Sequence, residues 1–89
     1  MFKVVYSARA AKELQKLDRN TAAFIYSWID KNLVDCSNPR QYGRALTGAG
    51  SGYWRYRVGS YRLVAQIVDN EIQIAIIAIA NRREVYRTN

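Results

Sequence analysis

The first chemical signal in this sequence is the stretch WRYRVGSYR, residues 54–62, with arginines at 55, 57 and 62. Val58 and Tyr61 flank Gly59-Ser60, a two-residue loop with glycine first, which is the composition of a type II′ hairpin turn. That register sets Val58 opposite Tyr61, Arg57 opposite Arg62, Tyr56 opposite Leu63, Arg55 opposite Val64 and Trp54 opposite Ala65. Strand side chains alternate between faces, so Trp54, Tyr56, Val58, Tyr61, Leu63 and Ala65 share a core face, and Arg55, Arg57 and Arg62 share the other. Like charges directly opposite one another destabilise a sheet by a few tenths of a kcal/mol to about 1 kcal/mol. A fold gains nothing from such a pair. Guanidinium groups stay protonated and fork toward oxyanions, so the chemistry this cluster suits is holding a ligand with several negative oxygens and stabilising charge that develops on it.

Further candidates lie around it. The strand that follows delivers Asn81, Arg82, Arg83 and Tyr86, a basic and aromatic stretch placed to join the cluster. Arg44, in the segment RQYGRALTGAGSG, can reach the same ligand. The glycines at 48, 50 and 52 lead into a strand and lack the GK[ST] of a phosphate loop, so they read as a connection. On the first predicted helix, Arg9, Lys12, Lys16 and Arg19 recur at spacings of three or four; the first three are candidate contacts to a nucleic-acid backbone.

Charge supports a polyanionic partner. Fourteen basic residues against seven acidic ones give a net charge of +7 in 89 residues, which points to nucleic acid, an acidic protein, or both. All four lysines, at 3, 12, 16 and 31, precede Arg40, and from there on every basic residue is an arginine. There is no histidine and a single cysteine, Cys36. An internal disulfide and a Cys/His metal site are therefore excluded, no cofactor is indicated, and Cys36 is expected to be an unreactive thiol in a reducing compartment. The N-terminal residues become charged too soon for a signal peptide or a membrane span. The expectation is one cytoplasmic domain over residues 1–89, with no membrane contact.

The elements that must position the cluster are short. Residues 2–6 read as an opening strand, with Ser7 as N-cap of a helix buried through Ala10 or Ala11, Leu14 and Leu17. Asp18 or Asn20 caps a second helix reaching about Val34, with Ala22, Ile25 or Tyr26, Ile29 and Leu33 inward. Asn38-Pro39 ends the helical region, and a brief strand follows around residues 44–47. After the central hairpin, Asp69-Asn70 reads as a type I′ turn, setting Val68 opposite Glu71, Ile67 opposite Ile72, Ala65 opposite Ile74, Leu63 opposite Ile76, Arg62 opposite Ile77 and Tyr61 opposite Ala78. The predicted fold is α+β: a small, twisted, antiparallel-rich sheet of four to five strands with an N-terminal helical hairpin packed on one face.

RNA carries its own nucleophile, the 2′-hydroxyl beside each phosphate. Cleaving it requires a base for that proton, cations for the phosphorane and an acid for the 5′-oxygen. Arginine cannot serve as the base, which leaves Tyr86 as the candidate. Its phenolate fraction at an ordinary pKa near 10 is only about 0.1 % at pH 7, a deficit of roughly 4 kcal/mol that neighbouring arginines reduce.

The run GYWRYRVGSYRLVAQIVDNEIQIAIIAIANRREVY, preceded by short helices and Leu46-Thr47-Gly48, resembles the RelE branch of the RelE/ParE superfamily of bacterial toxins over essentially the whole chain. The resemblance implies a metal-independent toxin that enters the ribosomal A site, cuts mRNA there, and is held inactive by an acidic, RelB-like antitoxin. It also implies operator-DNA binding by the toxin–antitoxin complex alone. The family's basic residues on the first hairpin strand fall on Arg55 and Arg57, its next-strand arginine on Arg62, its late arginine on Arg82 or Arg83, and its late tyrosine on Tyr86. Many relatives have histidine where this sequence has Asn81, which is counted among the RNA-contacting candidates, and the additional C-terminal helix of some members has no counterpart after Tyr86. Two alternatives stand beside this reading: a ParE-like inhibitor of DNA gyrase, and a non-catalytic module that binds RNA or antitoxin.

Overall fold

A computed structural model describes residues 1–48 and 52–81. Strand β1 (Lys3–Tyr6) is followed by helices α1 (Ala8–Gln15) and α2 (Arg19–Asn32), a 3-10 turn (Pro39–Gln41), and strands β2 (Arg44–Ala45), β3 (Trp54–Val58), β4 (Tyr61–Val68) and β5 (Gln73–Asn81). The sheet has the order β1-β5-β4-β3-β2, with β1 parallel to β5 and the other pairs antiparallel. The α+β class, the two helices and the antiparallel-rich sheet are as the sequence predicts. Among the described residues no helix is long and apolar enough to cross a membrane.

Local chemistry accounts for the helix starts. The Ser7 hydroxyl accepts from the Ala10 N–H at 3.0 Å, and an Asp18 carboxylate oxygen accepts from the Thr21 N–H at 3.2 Å, each answering an N–H that lacks a partner within the first helical turn. Asp18, not Asn20, is thus the second cap. Ala10 and Leu14 from α1 and Ile25 and Ile29 from α2, with Leu33 just beyond, are buried against Tyr56, Val58, Leu63, Ala65, Ile74, Ile76 and Ile79 of the sheet. Tyr26 stays largely outside this core and packs edge-on to Tyr6.

The central hairpin has the predicted register, pair for pair, from Trp54 with Ala65 to Val58 with Tyr61. Gly59 sits at φ +61 while Ser60 is not in the positive-φ region, as a II′ turn requires. The second hairpin differs. Val68 pairs with Gln73, Ile67 with Ile74 and Ala65 with Ile76, so the connection is a four-residue loop rather than a type I′ turn. Asp69–Glu71 form a 3-10 turn and Ile72 closes it in the left-handed region. Arg40 holds this loop through two 2.9 Å contacts to the Asp69 carboxylate. A shift of two residues preserves side-chain facing within the paired stretch, so Ile74 and Ile76 still enter the core, while Ile72, predicted opposite Ile67, lies exposed in the loop.

The register then slips by one. Ala65 pairs with Ile76 and Val64 with Ala78, leaving Ile77 as the extra residue of a β-bulge. Beyond it Leu63 pairs with Ile79, Arg62 with Ala80 and Tyr61 with Asn81. Arg62 therefore faces Ala80 rather than Ile77, and Ile79 replaces Ala78 in the core. Helix α1 answers the backbone groups around the bulge: Ser7 Oγ donates to the Ile77 carbonyl at 2.7 Å, and the Ile79 N–H donates to Glu13 Oε1 at 2.8 Å.

Ser7 thus serves the helix cap and the bulge at once. Ser7→Ala is expected to destabilise the chain by about 1–3 kcal/mol, from a lost cap and an unanswered carbonyl. Denaturant titration should show a lower midpoint with an unchanged slope.

Candidate anion-binding face

Alternation along the sheet assigns its two sides. One carries the helices and the core. On the other, Arg57 stands directly opposite Arg62 and Arg44 directly opposite Arg55, so four arginines from three adjacent strands share one surface. With Gly43 they line a shallow hollow of about 390 Å³. Arg44 and Arg57 are exposed, and Arg55 and Arg62 half-buried. Among the described residues no carboxylate forms an ion pair with Arg44, Arg57 or Arg62.

Two devices hold this surface. The II′ turn sets Arg57 against Arg62. The second device docks the short edge strand: the Trp54 indole Nε1 donates to the Tyr42 carbonyl at 2.6 Å, and Gly43 at φ +81 lies so close that a Cβ there would stand 2.3 Å from the Arg55 carbonyl oxygen. Behind the face, the buried Tyr56 hydroxyl donates to the Pro39 carbonyl at 2.7 Å, and Trp28 packs against both Tyr42 and Tyr56 with ring centroids 5.8 Å apart. Sequence reasoning identifies the arginines but not Gly43, Tyr42 or Trp54 as their support. The signal available was a lone glycine immediately before Arg44, which alone does not say what it approaches.

Other candidates lie elsewhere. Arg9, Lys12 and Lys16 are exposed on or at the end of α1, on the far side of the sheet from the arginine hollow, and Arg9 Nε lies 3.4 Å from Glu13. Asn81 pairs with Tyr61 on the helix side and lines a separate hollow of about 330 Å³ with Glu13, Lys16, Leu17 and Ile79. The one-residue bulge is the reason: it reverses the facing of β5 beyond Ile77, so Asn81 is not brought to the arginines. Arg82, Arg83 and Tyr86 lie outside the described residues. Burial pushes the Tyr6 phenol up to about 12, with Tyr26 and Asp30 adding to the effect, and burial raises Tyr56 as well. Both shifts run opposite to what a general base at neutral pH requires.

Two helices on one side of an open five-stranded sheet form the architecture of RelE-like α+β toxins. The isolated RelE toxin of Escherichia coli superposes with a TM-score of 0.69 at 22% identity, covering 99% of this chain and 94% of that one. A chain of the RelBE2 toxin–antitoxin complex of Mycobacterium tuberculosis superposes with a TM-score of 0.83 at 25% identity, covering 91% of each. In sequence, a RelE-like toxin protein of Escherichia coli is 32% identical over 82 residues, 91% of this chain and 83% of the relative. The family model described as the ParE toxin of the type II toxin–antitoxin system parDE matches residues 4–86. The chain belongs to the RelE/ParE family of toxins of type II toxin–antitoxin systems.

Gly43→Ala tests the docking of β2. A Cβ overlapping the Arg55 carbonyl, at a φ that alanine disfavours, is expected to destabilise the chain by more than about 1 kcal/mol. It should also displace Arg44, so polyanion affinity falls even at temperatures where circular dichroism shows the variant folded.

Proposed function

We propose that this toxin is a ribosome-dependent endoribonuclease that cuts mRNA in the A site by attack of the substrate's own 2′-hydroxyl. The observation that carries this reading is the pair of directly opposed arginines, Arg57 and Arg62, at the centre of a four-arginine surface. Two fixed cations at one point match the second negative charge that a phosphodiester gains as it becomes a phosphorane. The nucleophile comes from the substrate, so the protein supplies charge, orientation and proton transfer. Arg55, Arg57 and Arg62 bind and stabilise the phosphate, and Arg82 or Arg83 joins them. Tyr86 takes the 2′ proton, its phenolate favoured by positive charge brought close to it; the P–O5′ bond breaks as the 2′,3′-cyclic phosphate closes, and the departing 5′-oxygen takes a proton from water. A phenol so far from its pKa makes a weak base, and holding the RNA in an attack geometry supplies several kcal/mol in compensation. A ribosome presenting one codon at a time provides that positioning.

The partner that neutralises the toxin is an acidic, RelB-like antitoxin, a reading supported by structural neighbours solved as RelBE complexes. A +7 chain favours an acidic segment that folds onto it, and operator DNA is bound by that complex rather than by the toxin alone. A second reading, inhibition of DNA gyrase, is favoured by the ParE description of the matching family model.

Primer extension on mRNA in purified translating ribosomes, beside the same RNA free in solution, separates them. New 5′ ends confined to the A-site codon are expected. No cleavage by folded, growth-arresting protein would overturn the nuclease reading, and lost supercoiling by gyrase would then identify the second. Arg62→Ala should reduce the cleavage rate about 10²–10³-fold, as for loss of one preorganised donor, and Tyr86→Phe should abolish measurable cleavage while leaving ribosome binding intact.

A further inference from the structure

We propose that a separate hollow, on the helix side of the sheet, takes an unpaired nucleobase of RNA. It measures about 220 Å³ and is lined by Arg40, Ala45, Gly52, Tyr53, Trp54 and Ile67. The nuclease reading gives none of these residues a contact with RNA, and the inference rests on that reading only for the source of the base.

Two of the walls are flat and fixed. The Trp54 indole Nε1 donates to the Tyr42 carbonyl at 2.6 Å, which holds the ring in one orientation. The Arg40 guanidinium donates through both terminal nitrogens to the two oxygens of Asp69, each at 2.9 Å, a planar fork-to-fork contact that holds the group still. Tyr53 adds an exposed ring, and Ala45 on the edge strand puts only a methyl group at the rim. A Cβ on Gly52 would meet nothing within 4 Å, so the hollow is open on that side.

The tie to Asp69 decides which ligand fits. The carboxylate occupies the paired in-plane donors of Arg40 and offsets its charge, so an acidic side chain from a protein partner gains little there. With 44% of its side chain exposed, Arg40 still offers the face of its guanidinium plane. Unpaired bases stack on aromatic rings and on arginine planes alike. A hollow bounded by two aromatic residues and one guanidinium therefore suits a flat, uncharged ring better than a branched aliphatic side chain. Stacking tolerates any base, and the larger rings of a purine gain more from it. Location agrees with this choice. A net charge of +7 attracts RNA whatever its sequence, and the two-residue strand β2 separates the two hollows, Arg44 lining one and Ala45 the other.

The test uses the isotope-labelled full-length chain and adenosine, which carries a base and no phosphate. Binding is followed by NMR at the indole Nε1–H signal that Trp54→Phe removes, and at the arginine Nε–H signals. Adenosine is expected to shift the Trp54 and Arg40 signals saturably and to leave those of Arg44, Arg57 and Arg62 in place. Uridine should bind more weakly, and ribose 5-phosphate, which has the charge without the base, should leave the Trp54 signal unmoved. Tyr53→Ala removes a stacking wall and should weaken adenosine binding at least about fivefold. Ala45→Leu fills the hollow from its rim and should abolish binding. Both positions are exposed, so both variants are expected to keep the wild-type spectrum outside the hollow.

Adenosine that moves only the arginine-face signals, or none, would overturn the proposal. So would undiminished binding to both variants. N-acetylleucinamide binding as tightly as adenosine would also overturn it, and would make the hollow an anchor for an apolar side chain of a protein partner. None of these outcomes depends on cleavage: a chain that binds adenosine here and fails primer extension keeps this site and loses only the nuclease reading.

Discussion

The bulge at Ile77 and the helix that answers it are the constraint on which the rest of this structure depends. An extra residue in an antiparallel pair leaves backbone groups without ladder partners, and a buried N–H or C=O left unpaired is worth about 1–3 kcal/mol of destabilisation. Here Ser7 accepts the Ala10 N–H and donates to Ile77, while Glu13 accepts from Ile79. The same serine begins α1 and fixes where α1 lies on β5. Because side-chain facing alternates, the inserted residue exchanges the two faces of the last part of β5. Ile79 enters the core and Ala78 and Ala80 pass to the arginine side, beside Val64 and Arg62. With the bulge removed, a branched Ile79 would stand next to Arg62 and the core would receive alanine.

The arginine surface is expensive to hold in the absence of a ligand. Two like-charged cross-strand pairs in one small area each oppose folding, and the fold offsets them with rigid supports that contribute no charge to the face. These are the turn at Gly59, the contact of Gly43 with Arg55, the Trp54 bond to Tyr42, and the buried Tyr56 bonded to Pro39. Three acidic residues hold cations away from this face: Asp69 takes Arg40, Asp35 takes the amino terminus, and Glu13 is turned toward the bulge and Arg9. The Arg40 guanidinium holds the Asp69 carboxyl below its ordinary range, so this loop clamp stays charged at neutral pH.

How far the sequence discloses this arrangement depends on whether a local rule was decisive. Gly59-Ser60 between alternating strands admits one tight turn, and the whole β3–β4 register, with its opposed arginines, follows from it. Ser7 and Asp18 are legible as caps for the same reason. The β4–β5 register was not. Asp69-Asn70 has the composition of a two-residue turn, but the four-residue loop is secured by Arg40, a partner 29 residues away that no local pattern reveals. Nor could the bulge be found by periodicity, because residues 74–80 are apolar at every position and accept either facing. Carrying the alternation through that run puts Asn81 on the arginine side, and its observed place opposite Tyr61 follows from one inserted residue. Gly43 was missed because its role is a contact with the Arg55 backbone, which exists only once the sheet has formed.

A surface of opposed cations also links stability to occupancy. Any anion that binds the folded chain and not the unfolded one stabilises it by an amount set by its concentration relative to its dissociation constant. Relief of the Arg57–Arg62 and Arg44–Arg55 repulsion adds to the affinity of whichever ligand supplies the charge. In the proposed function an acidic antitoxin and an RNA backbone draw on the same relief. If both occupy the face, they exclude one another without any change of fold being required. Inhibition and substrate binding then become one competition for four guanidinium groups. A chain built this way is more stable with an anion on its arginine face than without one.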